Sequence, residues 1–160
     1  MQQKHILLIN LGSPKSLDVS DVRAYLKEFL SDDLVIDLPK VLQQIILRSF
    51  ILPFRPRKTK KAYETIWKDG SPLIKNTRKI AKALQTKTGW NVDIAMRYQN
   101  PSIKKSILYL KDKEVDEVII VPLYPHHAMS TTRSTEIYVK KIVEEHYPKL
   151  HMKFIKPFFD

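Results

Sequence analysis

Apolar residues arrive along this chain in two kinds of run, short unbroken ones and longer ones spaced three or four positions apart. His5 leads into Ile6, Leu7, Leu8, Ile9 and, past Asn10, Leu11, before the run breaks at Gly12-Ser13-Pro14. A strand buried on both faces of a parallel sheet reads this way, so 5–11 is the first strand. From Asp18 or Ser20 onward Val22, Tyr25, Leu26, Phe29 and Leu30 share one helical face, with Asp21, Arg23, Lys27 and Glu28 off it. Pro39 opens a second helix bearing Val41, Leu42, Ile45, Ile46 and Phe50; Pro53 is expected to stop it, and 56–68 reads as a third. Pro72 opens a fourth, with Leu73, Thr77, Ile80, Ala81 and Leu84 at helical spacing and Gly89 placed to end it. Then follow a strand over 91–97, a helix over 101–111, the most β-branched stretch over 115–124, an amphipathic helix over 131–147 and a last strand over 150–155.

Strands alternating with helices predict an α/β fold: an open parallel sheet of about four strands covered by helices on both faces, a Rossmann-type three-layer domain with right-handed crossovers. No linker, internal repeat or low-complexity segment interrupts 1–160, so one domain is expected. Phe158-Phe159-Asp160 follows the last strand directly. Two adjacent phenylalanines at an open surface are unusual, and they are expected to pack against something that follows or associates, at a domain boundary or a truncation.

Composition narrows the class. Hydrophobic residues make up 43% of the 160 and charged ones 28%, close to the globular average and far from a disordered or membrane-embedded chain. With no cysteine, neither a disulfide framework nor a thiolate site is available from these residues. The opening residues lack the pattern of a signal peptide, and a cytoplasmic protein is expected. The formal charge of +11 suits nucleic acid, anionic lipid or a carboxylate-bearing substrate alike. A nucleic-acid module would show a basic recognition helix or aromatics interleaved with Lys and Arg on a strand, and neither is present, so nucleic acid is set aside.

In open parallel sheets ligands gather beyond the carboxyl ends of the strands. The candidate loops are Asn10-Leu11-Gly12-Ser13-Pro14, Arg97-Tyr98-Gln99-Asn100-Pro101, and the stretch from Tyr124-Pro125-His126-His127 to Ala128-Met129-Ser130-Thr131-Thr132. The first has one glycine and no dinucleotide or Walker pattern, which leaves turn geometry or an anion at its amides. His126 and His127 can bind a transition metal or move a proton, yet adjacent side chains diverge in extended chain, so both on one metal is not expected and a surface role stands beside a functional one. The hydroxyls of Ser130-Thr131-Thr132 are expected to cap the following helix, with a phosphate site there as the sharper alternative. Arg55-Pro56-Arg57-Lys58-Thr59-Lys60-Lys61, next to the apolar second helix, reads as a solvated basic face, a carboxylate receptor or an interfacial element.

Taken in order, these segments resemble a known family. The turn at 8–14 followed by Val22-Arg23-Ala24-Tyr25-Leu26 and Phe29-Leu30-Ser31-Asp32 looks like the opening of ferrochelatases, the enzymes that insert ferrous iron into a porphyrin. Tyr63-Glu64-Thr65-Ile66-Trp67 with Gly70-Ser71-Pro72-Leu73, Met96-Arg97-Tyr98 with Pro101-Ser102-Ile103, and Pro122-Leu123-Tyr124-Pro125 with Ser130-Thr131-Thr132 are similar to that family's successive motifs.

The resemblance implies a chelatase-like domain matching the first of two similar halves, which together enclose a porphyrin cleft. The family's catalytic histidine and acidic partner belong to the second half, so no catalytic residue is assigned in this chain, and the fragment by itself is expected to be inactive. Porphyrin-binding positions carry over to Leu11, Arg55, Lys58, Arg97, Tyr98, Tyr124 and Ser130, with Arg55 and Lys58 meeting propionates through charge-assisted hydrogen bonds. His126 and His127, standing where relatives often have glutamine and tyrosine, are the metal candidates. Met129 stands where some relatives have an iron-sulfur cysteine, so no cluster and no prosthetic group is expected. The implied partners are a porphyrin, ferrous iron as substrate, and a missing carboxyl-terminal half or second subunit. The apolar-then-basic stretch 41–61 resembles the family's cleft lip, which implies peripheral membrane contact. Alternatives are a non-catalytic porphyrin-binding module and a small homodimeric chelatase.

Overall fold

In β1 (His5–Gly12) side chains alternate between two faces, and Leu7 and Ile9 on one, Ile6 and Leu8 on the other, are all buried. Such a strand needs cover on both sides. The computed structural model describes residues 4–156, and in it β1 is central: it pairs in parallel with β2 (Asn91–Tyr98) on one side and β3 (Glu117–Pro122) on the other, and β3 pairs with β4 (His151–Phe154). The sheet order is β2-β1-β3-β4, an α/β open parallel sheet as the alternation of elements implies. Phe158 and Phe159 lie outside the described residues.

One face packs Leu7, Ile9, Ala95, Val118 and Ile120 against Ile103, Ile107 and Leu110 of α5 (Ile103–Asp112) and Val139, Ile142 and Val143 of α6 (Ser134–His146). The opposite face sets Ile6, Leu8 and Val92 against Ala81 of α4 (Pro72–Thr88). A third cluster unites Val22, Tyr25, Leu26 and Leu30 of α1 (Val19–Leu30) with Leu47, Leu52 and Tyr98, over the carboxyl end of β2. Helix ends follow local chemistry: the Ser71 and Ser102 hydroxyls accept from the Ile74 and Lys105 amides to start α4 and α5, and Gly89 at φ 70° ends α4.

Two local expectations fail. Pro53 does not stop the second helix: α2 (Lys40–Ile46) runs through a π-helical turn (Leu47–Ile51) into α3 (Leu52–Glu64), which begins before Pro56 and ends short of residue 68. The turn just before Pro53 is a wide one, closed by the Leu52 amide on the Leu47 carbonyl, so the regular ladder that a proline ring clashes with is already opened there. The hydroxyls of Ser130-Thr131-Thr132 do not cap α6. They lie inside a π-helical turn (Met129–Arg133) that leads into it, preceded by Ala128, and Thr132 Oγ1 donates instead to the His126 carbonyl at 3.3 Å. No helix among the described residues is long and apolar enough to cross a membrane. Along 41–54, however, Val41, Phe50 and Phe54 are 74%, 67% and 73% exposed.

Candidate functional site

Parallel pairing puts the carboxyl ends of β1, β2 and β3 along one edge, with Gly12 opposite Tyr98 and Ile9 opposite Pro122. Gly12 has φ 109°, and a Cβ built on it would lie 2.0 Å from the Tyr98 carbonyl oxygen. Of the two roles open to this glycine, close backbone approach explains the residue without any ligand.

Immediately after α1, Asp32 turns inward and gathers groups from distant parts of the chain. Its Oδ2 accepts from Arg97 Nη2 at 2.6 Å, Tyr98 OH at 2.7 Å and Ser134 Oγ at 2.5 Å, and its Oδ1 accepts from the Leu34 amide at 2.9 Å. Burial pushes this carboxyl up, but the hydrogen bonds from Ser134, Leu34 and Tyr98, with the Arg97 charge, outweigh it and hold it below the usual carboxylate value. Arg97 also donates from Nε to Ser134 Oγ at 2.9 Å, and its guanidinium stacks 4.6 Å from the Tyr98 ring centroid and 4.3 Å from that of Tyr138. A second grip lies one turn earlier in α1, where Glu28 accepts from both the backbone and side-chain nitrogens of Gln99, a residue at φ 67°. The end of α1 therefore holds the loop after β2 at two points.

The tyrosines of this edge are buried and hydrogen-bonded, Tyr98 to Asp32 and Tyr124 to Thr135. Burial raises the Tyr98 hydroxyl above its ordinary value and pushes Tyr124 up to about 12, partly offset at Tyr124 by a 3.0 Å hydrogen bond with Thr135 and by the Arg97 charge. Both keep their protons at neutral pH, so neither can take one from a substrate.

Of the porphyrin-binding candidates, Arg97, Tyr98 and Tyr124 come together, Arg97 and Tyr98 joined through Asp32. Tyr98 is wholly buried against α1, its hydroxyl turned to Asp32. Leu11 is half-buried beside the same cluster, and Ser130 is half-buried in the π-helical turn before α6. Arg55 and Lys58 are exposed on α3 and form no ion pair among the described residues. His126 and His127 are exposed, and no group of three or more His, Cys, Asp or Glu able to hold a metal is assembled among the described residues. A cleft of about 220 Å³ at this edge is lined by Ser13 and Pro14 of the first loop, Asn100 of the second, and Ser71, Lys75 and Arg78 at the start of α4. A larger cavity of about 900 Å³ opens at the opposite, amino-terminal edge, around His5, Trp90, Asp93 and Tyr109. Parallel α/β sheets bind at their carboxyl edge, so size does not make the larger cavity the site.

Sequence reasoning missed Asp32, Ser134 and Tyr138. The one available signal was an acidic residue directly after an apolar helix face in a strongly basic chain, in the segment Phe29-Leu30-Ser31-Asp32.

Comparison with known proteins bears on this geometry. The family model for ferrochelatase matches residues 3–160. The chain is 42% identical over 164 residues to a ferrochelatase of Pseudomonas paraeruginosa, covering all of this chain and 47% of the relative. It is 41% identical over 159 residues to one of Francisella tularensis, covering 97% and 48%. The chain thus spans about half the length of the curated relatives it matches. A solved structure described as a candidate cobalamin (vitamin B12) biosynthesis CbiX protein from Marinobacter aquaeolei superposes with TM-score 0.53 at 13% identity, over 98% of this chain and 83% of that one, a likeness of fold.

Proposed function

The chain belongs to the ferrochelatase family, and on that premise we propose that it supplies the porphyrin-binding half of an enzyme that inserts ferrous iron into protoporphyrin IX or coproporphyrin III in haem biosynthesis. The observation that carries the reading is the contrast between two kinds of cation. Arg97 is paired with Asp32, whereas Arg55 and Lys58 stand exposed and form no ion pair among the described residues, free to meet carboxylates. A flat apolar macrocycle with carboxylates on its rim suits such a surface: the carboxylates reach the cations through charge-assisted hydrogen bonds and the ring lies against apolar and aromatic side chains.

Metal insertion needs the macrocycle bent so that the pyrrole lone pairs turn toward the iron while two N–H protons leave. This half contributes binding energy along the ring edge, which opposes the planar ground state. The buried tyrosines hold their own protons; in the family the catalytic histidine and its acidic partner belong to the second half, which this chain does not match, and on that resemblance this chain alone is inactive. Iron is the substrate, and the exposed His126 and His127 serve at most to receive it. The enzyme works in the cytoplasm. Val41, Phe50 and Phe54 beside the basic stretch form a lip that rests peripherally on lipid, from which a sparingly soluble porphyrin can pass.

The test is a titration of coproporphyrin III into the chain, followed by absorbance, with Arg55→Ala and Lys58→Ala for comparison. Saturable binding weakened in both variants supports the reading. Binding unchanged by either, or absent at micromolar porphyrin, overturns the assignment of this half as the porphyrin receptor.

A further inference from the structure

Arg97 carries over from the family as a porphyrin-binding position, yet the structure gives its charge another partner. Its side chain is 12% exposed, and the Asp32 carboxylate facing it is 9% exposed. Two of its three nitrogens are engaged, Nη2 by Asp32 and Nε by Ser134, and its flat face lies over Tyr98 and Tyr138. Asp32 holds Tyr98 as well, so one carboxylate orders both residues. A charge neutralised at this distance by a shielded carboxylate has little attraction left for a second one. Among the described residues Arg55 and Lys58 have no such internal counter-ion.

We propose that Asp32 is a positioning and specificity residue: it masks the Arg97 guanidinium, turning that end of the site into a neutral stacked surface and directing substrate carboxylates to Arg55 and Lys58. The proposal deepens the porphyrin reading above and rests on it for the identity of the substrate. The masking itself rests only on the four groups that converge on Asp32. It has a consequence for porphyrin choice. A macrocycle with carboxylates on one side is held in one orientation, because its carboxylates are drawn toward Arg55 and Lys58 and not toward the masked Arg97. Removing the Asp32 charge while keeping its shape adds Arg97 as a third cation to Arg55 and Lys58, and a tetracarboxylate porphyrin gains more from this than a dicarboxylate one.

The test uses the whole chain, labelled with ¹⁵N so that the Arg97 Nε–H signal can be followed; Arg97→Gln identifies that signal by its loss. Inorganic sulfate is titrated into the wild type and into Asp32→Asn, and coproporphyrin III and protoporphyrin IX are titrated into both by absorbance. The wild-type Arg97 signal is expected to ignore sulfate. In Asp32→Asn it shifts saturably, and coproporphyrin binds roughly fivefold tighter, the value of one partly exposed ion pair, with the gain smaller for protoporphyrin and lost at high salt.

A wild-type Arg97 that takes up sulfate overturns the masking, and this arm decides the matter even where Asp32→Asn does not fold. A folded Asp32→Asn whose Arg97 ignores sulfate overturns it too. If the sulfate results are as expected but neither protein binds a porphyrin, the masking stands and the porphyrin reading fails.

Discussion

Gly12→Ala tests how the strand edge is built, because two separable costs meet at that position. The first is conformational: φ at Gly12 is 109°, outside the regions open to an L-residue, and holding alanine there costs about 1–3 kcal/mol. The second is steric. The new Cβ would lie 2.0 Å from the Tyr98 carbonyl oxygen and 3.0 Å from its carbon, and both are backbone atoms that cannot swing aside. β1 and β2 must part at the carboxyl end of a register that runs from His5 opposite Asn91 to Gly12 opposite Tyr98. Overpacking of that kind costs about 1–3 kcal/mol more. The expected loss is thus about 4 kcal/mol, which for a domain of this size lowers the midpoint of thermal unfolding by about 10 °C. Gly89→Ala is the control. That glycine is also left-handed, at φ 70°, but nothing lies within 4 Å of its Cβ position, so only a conformational cost of about 1 kcal/mol applies. Urea unfolding followed by the fluorescence of Trp67 and Trp90 measures both. If Gly12→Ala loses no more stability than Gly89→Ala, the close approach of Gly12 to Tyr98 is not what demands glycine there.

Ile107→Ala, at a fully buried position where α5 packs on the sheet, is expected to cost about 2–5 kcal/mol in the same assay; a loss below 1 kcal/mol would show that α5 packs loosely. Arg55→Ala and Lys58→Ala should leave stability within about 0.5 kcal/mol of the wild type, since both are exposed and form no ion pair among the described residues, while weakening porphyrin binding. A melting shift that matched the binding loss would place these side chains in the fold instead of the site. Stability should also fall with acid through Asp32. Its folded carboxyl sits below the ordinary value near 3.9, so its contribution is fully present above that value and disappears as pH falls through it toward the depressed folded one. Urea midpoints measured downward from about pH 5 should decline less in Asp32→Asn than in the wild type, and parallel curves would refute the link.

Much of this architecture is legible in local order. An unbroken apolar run with cover needed on both faces can only be an inner strand, and β1 is the centre of the sheet. Pro72 and Gly89 bracket α4 because a missing N–H is harmless at a helix start and a left-handed residue is easiest for glycine at its end. The two misread segments share a cause. The expectations for Pro53 and for the hydroxyls of Ser130-Thr131-Thr132 presume regular α-helical geometry, but a π-helical turn directly precedes Pro53 and another contains the hydroxyls, which changes what a proline or a hydroxyl meets. Nothing in the local residue pattern announces such a turn.

What the sequence by itself determined is the alternation of elements, the parallel sheet that alternation requires, and, through ordered motifs, the family. These follow from interactions over a few residues: periodicity, caps and breakers. Only the tertiary structure decided what the motif residues face. Asp32 meets Arg97 across 65 positions and Ser134 across 102, and Gly12 meets Tyr98 across the strand pair. An aspartate's partners at such separations are chosen by how the helices dock on the sheet. That docking is where Arg97 becomes a neutralised, stacked residue while Arg55 and Lys58 keep their charge open to solvent.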